Sequence, residues 1–213
     1  RIMPNIVSLM KVFRIKCPRC GLEHMVRISE EDIEWARKTG LARIGLIHSD
    51  HLLIVDIDVN YTIRGAYISS SSLIRPNIRL MFRDYRILFH PTIESNARLV
   101  IVYGKEKIID IRGFPESIHK IYGALSKIID IITKAGKYTW YRGETDIIGR
   151  KFDVAFKDEI AIFLATPLRD WRKRTEILKK IHNSIKSHGI LNPEEIREIL
   201  RLVEQLSRRQ IDA

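Results

Sequence analysis

Cys17 and Cys20 are the only cysteines in the chain of 213 residues, and they stand in the stretch Lys16-Cys17-Pro18-Arg19-Cys20-Gly21. The flanking runs 12–16 and 24–28 are rich in β-formers, so the pair is predicted in the turn of a hairpin. A redox pair of the thioredoxin type would instead open a helix after a strand, where the helix dipole lowers a thiol pKa. In a hairpin turn both sulfurs point the same way, and Gly21 supplies the left-handed residue behind them. Two converging thiolates are half of a tetrahedral metal site, and a structural site needs four ligands.

His48 and His51, in His48-Ser49-Asp50-His51, are the leading candidates for the other half. They give the spacing C-x2-C-x27-H-x2-H. The long gap holds a strand, a helix and a second strand, and the four-residue stretch sits where a turn can aim two imidazoles at one point. His24 is a rival third ligand, and a pair of chains could instead share one all-cysteine site. The remaining reading is a former metal turn whose cysteines are simply reduced. Over about ten residues around Cys17 and Cys20 the chain resembles zinc-ribbon knuckles, which implies zinc as the metal, in a structural role. A catalytic zinc would use Cys17, Cys20 and one histidine, with Asp50 or Glu23 as base. The nucleobase-deaminase pattern of H-x-E followed by P-C-x-x-C is missing, because Pro18 lies inside the pair.

The rest of the chain reads as α+β: antiparallel β-hairpins with interspersed helices, and a helical hairpin at the C-terminus. Three more hairpins are predicted over 51–68, 97–113 and 151–167. A helix over 29–40 has Ser29 as cap, acids in its first turn and Gly40 as its stop. A second runs from Pro115 to Gly136 with Ile118, Ile121, Leu125, Ile128, Ile129 and Ile132 on one face. The C-terminal pair is predicted to begin at Thr166-Pro167, to break at Gly189, and to restart at Asn192-Pro193. Residues 142–150 read as a polar loop holding Glu144 and Asp146. The serines at 69–72 suggest a linker. The organisation expected is a zinc-knuckle-like β-rich domain over 1–70, an α+β domain over 73–165, and the helical hairpin over 166–213 packed on the domain before it.

The segment 75–91 is ambiguous. As a strand neither face is clean. As a helix, Ile78, Met81, Phe82, Tyr85, Leu88 and Phe89 recur at three and four, bounded by Pro76 and Pro91. That reading lines Arg75, Arg79, Arg83 and Arg86 along a stripe of about 16 Å, able to track a phosphate backbone.

Charge supports an anionic partner. The net charge is +11, and residues 61–112 hold nine Lys+Arg against four Asp+Glu, while 169–213 hold eleven against seven. In the second cluster Arg172, Lys173, Lys179 and Lys180 are candidate phosphate contacts. Trp171 is expected in the core beside Leu178 and Ile181. Nucleic acid, DNA or RNA, is the expected partner, and the chain is expected to be non-enzymatic. The alternative is a dimerising protein-interaction module, a homodimer whose charge serves solubility. Glycine-rich phosphate loops, G-x-S-x-G and H-E-x-x-H are missing from the sequence, and Asp56–Asn60 lacks the glycine of a calcium loop.

The longest apolar runs are about six residues, too short to span a bilayer. The first residues, with no small-residue cleavage site, are read as the start of the domain rather than a signal peptide. Isoleucine occurs 36 times, asparagine six times and glutamine twice, the composition of a hyperthermophile, and an archaeal source is expected. Two cysteines do not make a disulfide framework, so a cytoplasmic setting is expected.

Overall fold

The hairpin around Cys17 and Cys20 forms as read, from β1 (Lys11–Lys16) and β2 (Glu23–Ile28). It is described, with the rest of the chain, by a computed structural model covering residues 11–48, 50–69, 78–90, 95–114, 118–135, 140–188 and 192–211. Ser29 then caps α1 (Glu30–Thr39). Its hydroxyl accepts from the Asp32 N–H, and the Ser29 N–H donates back to the Asp32 carboxylate at 2.9 Å. Gly40 ends the helix at a φ of 93°.

The chain divides into two compact units, Arg1–Ile87 with Ile118–Tyr122, and Leu88–Ser117 with Gly123–Ala213. In the first, β3 (Ala42–Ile47), β4 (Leu52–Ile57), β5 (Ile63–Ser69), β6 (Ile78–Phe82) and the part of β7 (Tyr85–His90) up to Ile87 lie in the order β7-β6-β3-β4-β5. All these pairs are antiparallel except β3 with β6. Gly45 lets that parallel pair close up, because a Cβ there would meet Ile78 Cγ2 at 2.9 Å. Ile15, Val26, Ile28, Ile33, Ile44, Leu53, Val55 and Ile57 form one buried cluster, so the inner face of the β1–β2 hairpin is part of this unit's core.

The second unit contains β8 (Arg98–Tyr103), β9 (Ile108–Arg112), β10 (Trp140–Ile147), β11 (Arg150–Lys157) and β12 (Ile160–Ala165), ordered β10-β11-β12-β8-β9 and antiparallel throughout. Leu99, Ile101, Ile162 and Leu164 meet Ile177, Leu178, Ile181 and Ile185 of α3 (Trp171–His188) and Ile196, Leu200 and Val203 of α4 (Pro193–Ile211). Val100, Val102 and Phe163, at the alternate positions, are buried as well, so both faces of the sheet are covered. One turn of 3-10 helix, Ile118–Ile121, leads into α2 (Tyr122–Ala135), which buries Leu125, Ile128 and Ile129. Asn192 caps α4, accepting from the Glu194 N–H at 3.0 Å.

The α+β class and the four hairpins are as expected, and four expectations about local structure are corrected. Residues 78–90 are not a helix: β6 and β7 pair through a two-residue turn in which Arg83 takes a φ of 54°. Residues 142–150 are not a loop but most of β10 and its turn at Ile148-Gly149. The first C-terminal helix begins at Trp171 rather than at Thr166, with the Asp170 carboxylate accepting from the Arg172 N–H at 2.9 Å. Trp171 is 57% exposed rather than core. Leu168, ahead of the helix, fills that end of the core instead. Ser69 closes β5, while the rest of the suggested linker at 70–72, together with Pro76, Pro91, Pro115, Gly136 and Gly189, lies outside the described residues.

Candidate metal centre

Two hairpin turns supply the site. In the first, the Cys17 N–H donates to the Leu22 carbonyl at 2.8 Å and the Gly21 N–H to the Cys17 carbonyl at 2.9 Å, with Gly21 at a φ of 74°. That tight loop turns both sulfurs to one side. In the second, β3 pairs with β4, and the His48 N–H donates to the His51 carbonyl at 3.0 Å. His48 and His51 therefore flank one turn, as Cys17 and Cys20 flank the other.

The four donors converge. Cys17 Sγ lies 3.2 Å from His51 Nε2, Cys20 Sγ lies 3.3 Å from His48 Nδ1, and all four ligand atoms fall within 4.8 Å of one another. Zinc bond lengths in a tetrahedron put sulfur and nitrogen about 3.5 Å apart. The observed separations sit close to that edge length, so Cys17, Cys20, His48 and His51 fit one small metal ion. His24, the rival ligand, stands edge-on to His48 with ring centroids 4.4 Å apart but is not among the four converging donors.

Electrostatics favours the ligating forms of Cys17 and His48. Burial opposes the Cys17 thiolate, yet the backbone N–H groups of Cys20 and Arg19 and the His51 side chain outweigh it and bring the pKa to about 7. Burial, aided by neighbouring imidazoles, drives His48 down to about 4, so it is neutral and available as a donor. Burial also lowers His24.

A carboxylate completes the arrangement. Asp50 Oδ1 lies 2.6 Å from His51 Nδ1, the nitrogen that does not face the cysteines, and Arg19 Nη2 donates to Asp50 Oδ2 at 2.9 Å. Burial works against a charged His51, but hydrogen bonds to Asp50 and Cys17 outweigh it and raise its pKa. The His51 hydrogen bond in turn holds the Asp50 carboxyl below its usual range. Such a carboxylate–histidine pair fixes the ring and directs Nε2 at the metal. The signal for this role was an acid next to a ligand histidine within one turn, and Arg19 as its support had no sequence signal. Asp50→Ala is expected to weaken metal binding about 10–100-fold, measured by competition with a chromogenic chelator. Unchanged affinity would show that Asp50 does not orient His51.

The basic residues singled out from sequence are dispersed. Arg75 lies outside the described residues. Arg79 is bound to Asp32, with Nε to Oδ1 and Nη2 to Oδ2 both at 2.7 Å. Arg86 meets Glu31 at 3.2 Å, and the Arg83 guanidinium rests over the Phe82 ring at 5.3 Å. The expected arginine stripe does not form, because there is no helix to carry it. On α3 the outcome differs. Arg172, Lys173, Lys179 and Lys180 are all exposed, with Glu176 exposed among them. Arg172 lies over the Trp171 ring, 5.7 Å from its centroid. Arg174 points inward and holds Asp153 at 2.8 Å.

Comparison with models of known protein families, with curated proteins and with solved structures finds no match for this chain. No helix among the described residues is long and apolar enough to cross a membrane.

Proposed function

We propose that this chain is a non-enzymatic, nucleic-acid-associated protein whose N-terminal hairpin is held by a structural zinc ion. Zinc suits the donor set, since two thiolates and two neutral imidazoles form a closed tetrahedral site with no position left for substrate. Metal-bound thiolates also suit a reducing, cytoplasmic setting.

The observation that carries the reading is the exposed face of α3. Arg172 and Lys179 are seven residues apart, as are Lys173 and Lys180, so each pair repeats after two helical turns on one side. Trp171 at the head of this face is 57% exposed, with the Arg172 guanidinium over its ring, and an exposed indole beside basic side chains can stack a base. Phosphate contacts from such a row give affinity without much sequence preference.

Fluorescence anisotropy with labelled DNA and RNA across a salt series tests this. Replacing Lys173, Lys179 and Lys180 together by glutamine is expected to flatten the log–log salt slope by about 2–3. Trp171→Ala is expected to cost about 1–3 kcal/mol on single strands. No binding at low salt would refute the assignment. A second reading, a homodimer, is favoured by β5. This strand ends the sheet order and carries Arg64 as its one charge. Sedimentation would then show a dimer with no affinity for nucleic acid.

A further inference from the structure

The outward face of the β1–β2 hairpin carries charge that the regional totals conceal. Residues 1–60 hold nine Lys+Arg against eight Asp+Glu, but within 11–28 the cations are Lys11, Arg14, Lys16, Arg19 and Arg27, and the only acid is Glu23. The balancing acids lie in α1 and beyond it. Strand alternation turns Ile15, Val26 and Ile28 into the core, which leaves Val12, Arg14, Lys16, Glu23, Met25 and Arg27 on the opposite, exposed face. Arg14 reaches Glu23 only at 3.8 Å, and Lys16 and Arg27 make no ion pair among the described residues.

The face also has an order. In register, Arg14 lies opposite Met25 and Arg27 lies opposite Val12, so two of its rungs pair one cation with one apolar side chain. Met25 is 55% exposed and Val12 47%. Apolar groups held open to solvent beside Arg27, which makes no ion pair among the described residues, and Arg14, held only by the long contact to Glu23, match a surface that offers both phosphate and methyl groups.

We propose that this face seats in the major groove of B-form duplex DNA. The inference rests on the nucleic-acid reading above, and adds a second contact surface and the form of nucleic acid it takes. A two-stranded ribbon fits the major groove of B-DNA, where cations reach phosphates and guanine edges and apolar side chains meet thymine methyls. The deep, narrow major groove of A-form RNA does not admit it. The metal centre ties the ribbon's turn to the β3–β4 turn, so the outward face is presented on a rigid support.

The test uses the full chain loaded with zinc and the triple variant Arg14→Gln, Lys16→Gln, Arg27→Gln. All three side chains are exposed, so metal content and thermal midpoint are expected to match the parent and serve as the folding control. Binding is measured to duplex DNA, duplex RNA of the same sequence, single-stranded DNA, and phosphatidylserine vesicles. The expected result is a loss of duplex DNA affinity of about tenfold or more in the variant, with a salt slope shallower by about 2.7, and single-strand binding through α3 unchanged. A variant that keeps the parental affinity and slope on duplex DNA overturns the inference. So does a parent that prefers duplex RNA, or one that binds vesicles but not duplex DNA. A parent that binds single strands but not duplex DNA overturns this inference alone. A parent that binds no nucleic acid overturns both this inference and the reading on which it rests.

Discussion

Chelation of the metal is expected to lower the unfolding midpoint of the N-terminal unit and to leave that of the β8–α4 unit unchanged. The four converging donors all belong to the first unit, and metal-binding free energy there is folding free energy. An isolated two-stranded hairpin is marginal in water, so β1–β2 depends on its packing for its position, and a metal ion held by the four donors would fix it further. Loss of the ion is expected to cost the first unit more than about 4 kcal/mol, the range in which single changes are diagnostic. Cys17→Ser is expected to reproduce the effect without chelator. Calorimetry with and without chelator reads both transitions at once. If the first transition does not move, the cluster is a set of reduced cysteines and neutral histidines with no structural ion.

The same prediction has a pH form. Burial brings the folded-state pKa of His48 to about 4, against the ordinary 6.5 of an exposed histidine. Its unfolded form therefore binds a proton that its folded form refuses. The corresponding stability is present above the unfolded pKa and is lost as pH falls from 6.5 toward 4. Metal binding adds to this trend, because a protonated imidazole or thiol is no ligand. The first unit is thus expected to lose both metal and stability below neutral pH, as read by its unfolding midpoint in a pH series. A midpoint that rises on acidification would contradict the burial argument for His48.

What the sequence made legible follows from how local each signal is. Cys17 with Cys20, and His48 with His51, are each three residues apart in a hairpin turn, and a turn sets its own geometry whatever surrounds it. The caps at Ser29 and Asn192 are equally local. The β6–β7 pair failed for the converse reason. Both strands are short, β6 buries residues on both faces and β7 carries Leu88 opposite Tyr85, Ile87 and Phe89, so no clean alternation shows, and their apolar positions fall by chance at helical spacing. Their turn, Arg83-Asp84, lacks the Asn-Gly or Asp-Gly that marks such hairpins. Edge strand β10 was hidden by Gly143, Glu144 and Asp146, poor strand formers that are tolerated there. Glu144 pairs with Lys151 of the neighbouring strand at 2.7 Å. The support that Arg19 gives Asp50 and the inward turn of Arg174 toward Asp153 depend on contacts remote in the chain, and no local pattern announces them.

Arg79 illustrates how far such a contact can change a residue's meaning. In a helical reading it is one of four solvent-facing cations. In the fold its side chain is 17% exposed and chelates Asp32, whose own side chain is 7% exposed. Nη2 also donates to the Arg27 carbonyl at 3.0 Å. Asp32 is at the same time the acid of the Ser29 capping box, so one carboxylate ties α1 to β6 and caps the helix. Removing one partner leaves the other buried with its charge uncompensated, which costs about 3–5 kcal/mol. Arg79→Met is therefore expected to destabilise the first unit by about that amount. Asp32→Ala is expected to do at least as much, since it also removes the carboxylate half of the Ser29 capping box. The double variant should cost less than the sum, because the second change removes the charge that the first left unpaired. Urea unfolding of the four proteins in a double-mutant cycle gives the coupling directly. If Arg79→Met instead leaves stability within about 0.5 kcal/mol of the parent, the pair is solvated like an ordinary surface contact. Arg79 would then return to the set of residues free to meet phosphate. Nucleic-acid affinity measured on the same variant separates the two roles: a structural arginine shifts the unfolding curve and leaves the salt slope alone, and a phosphate contact does the reverse.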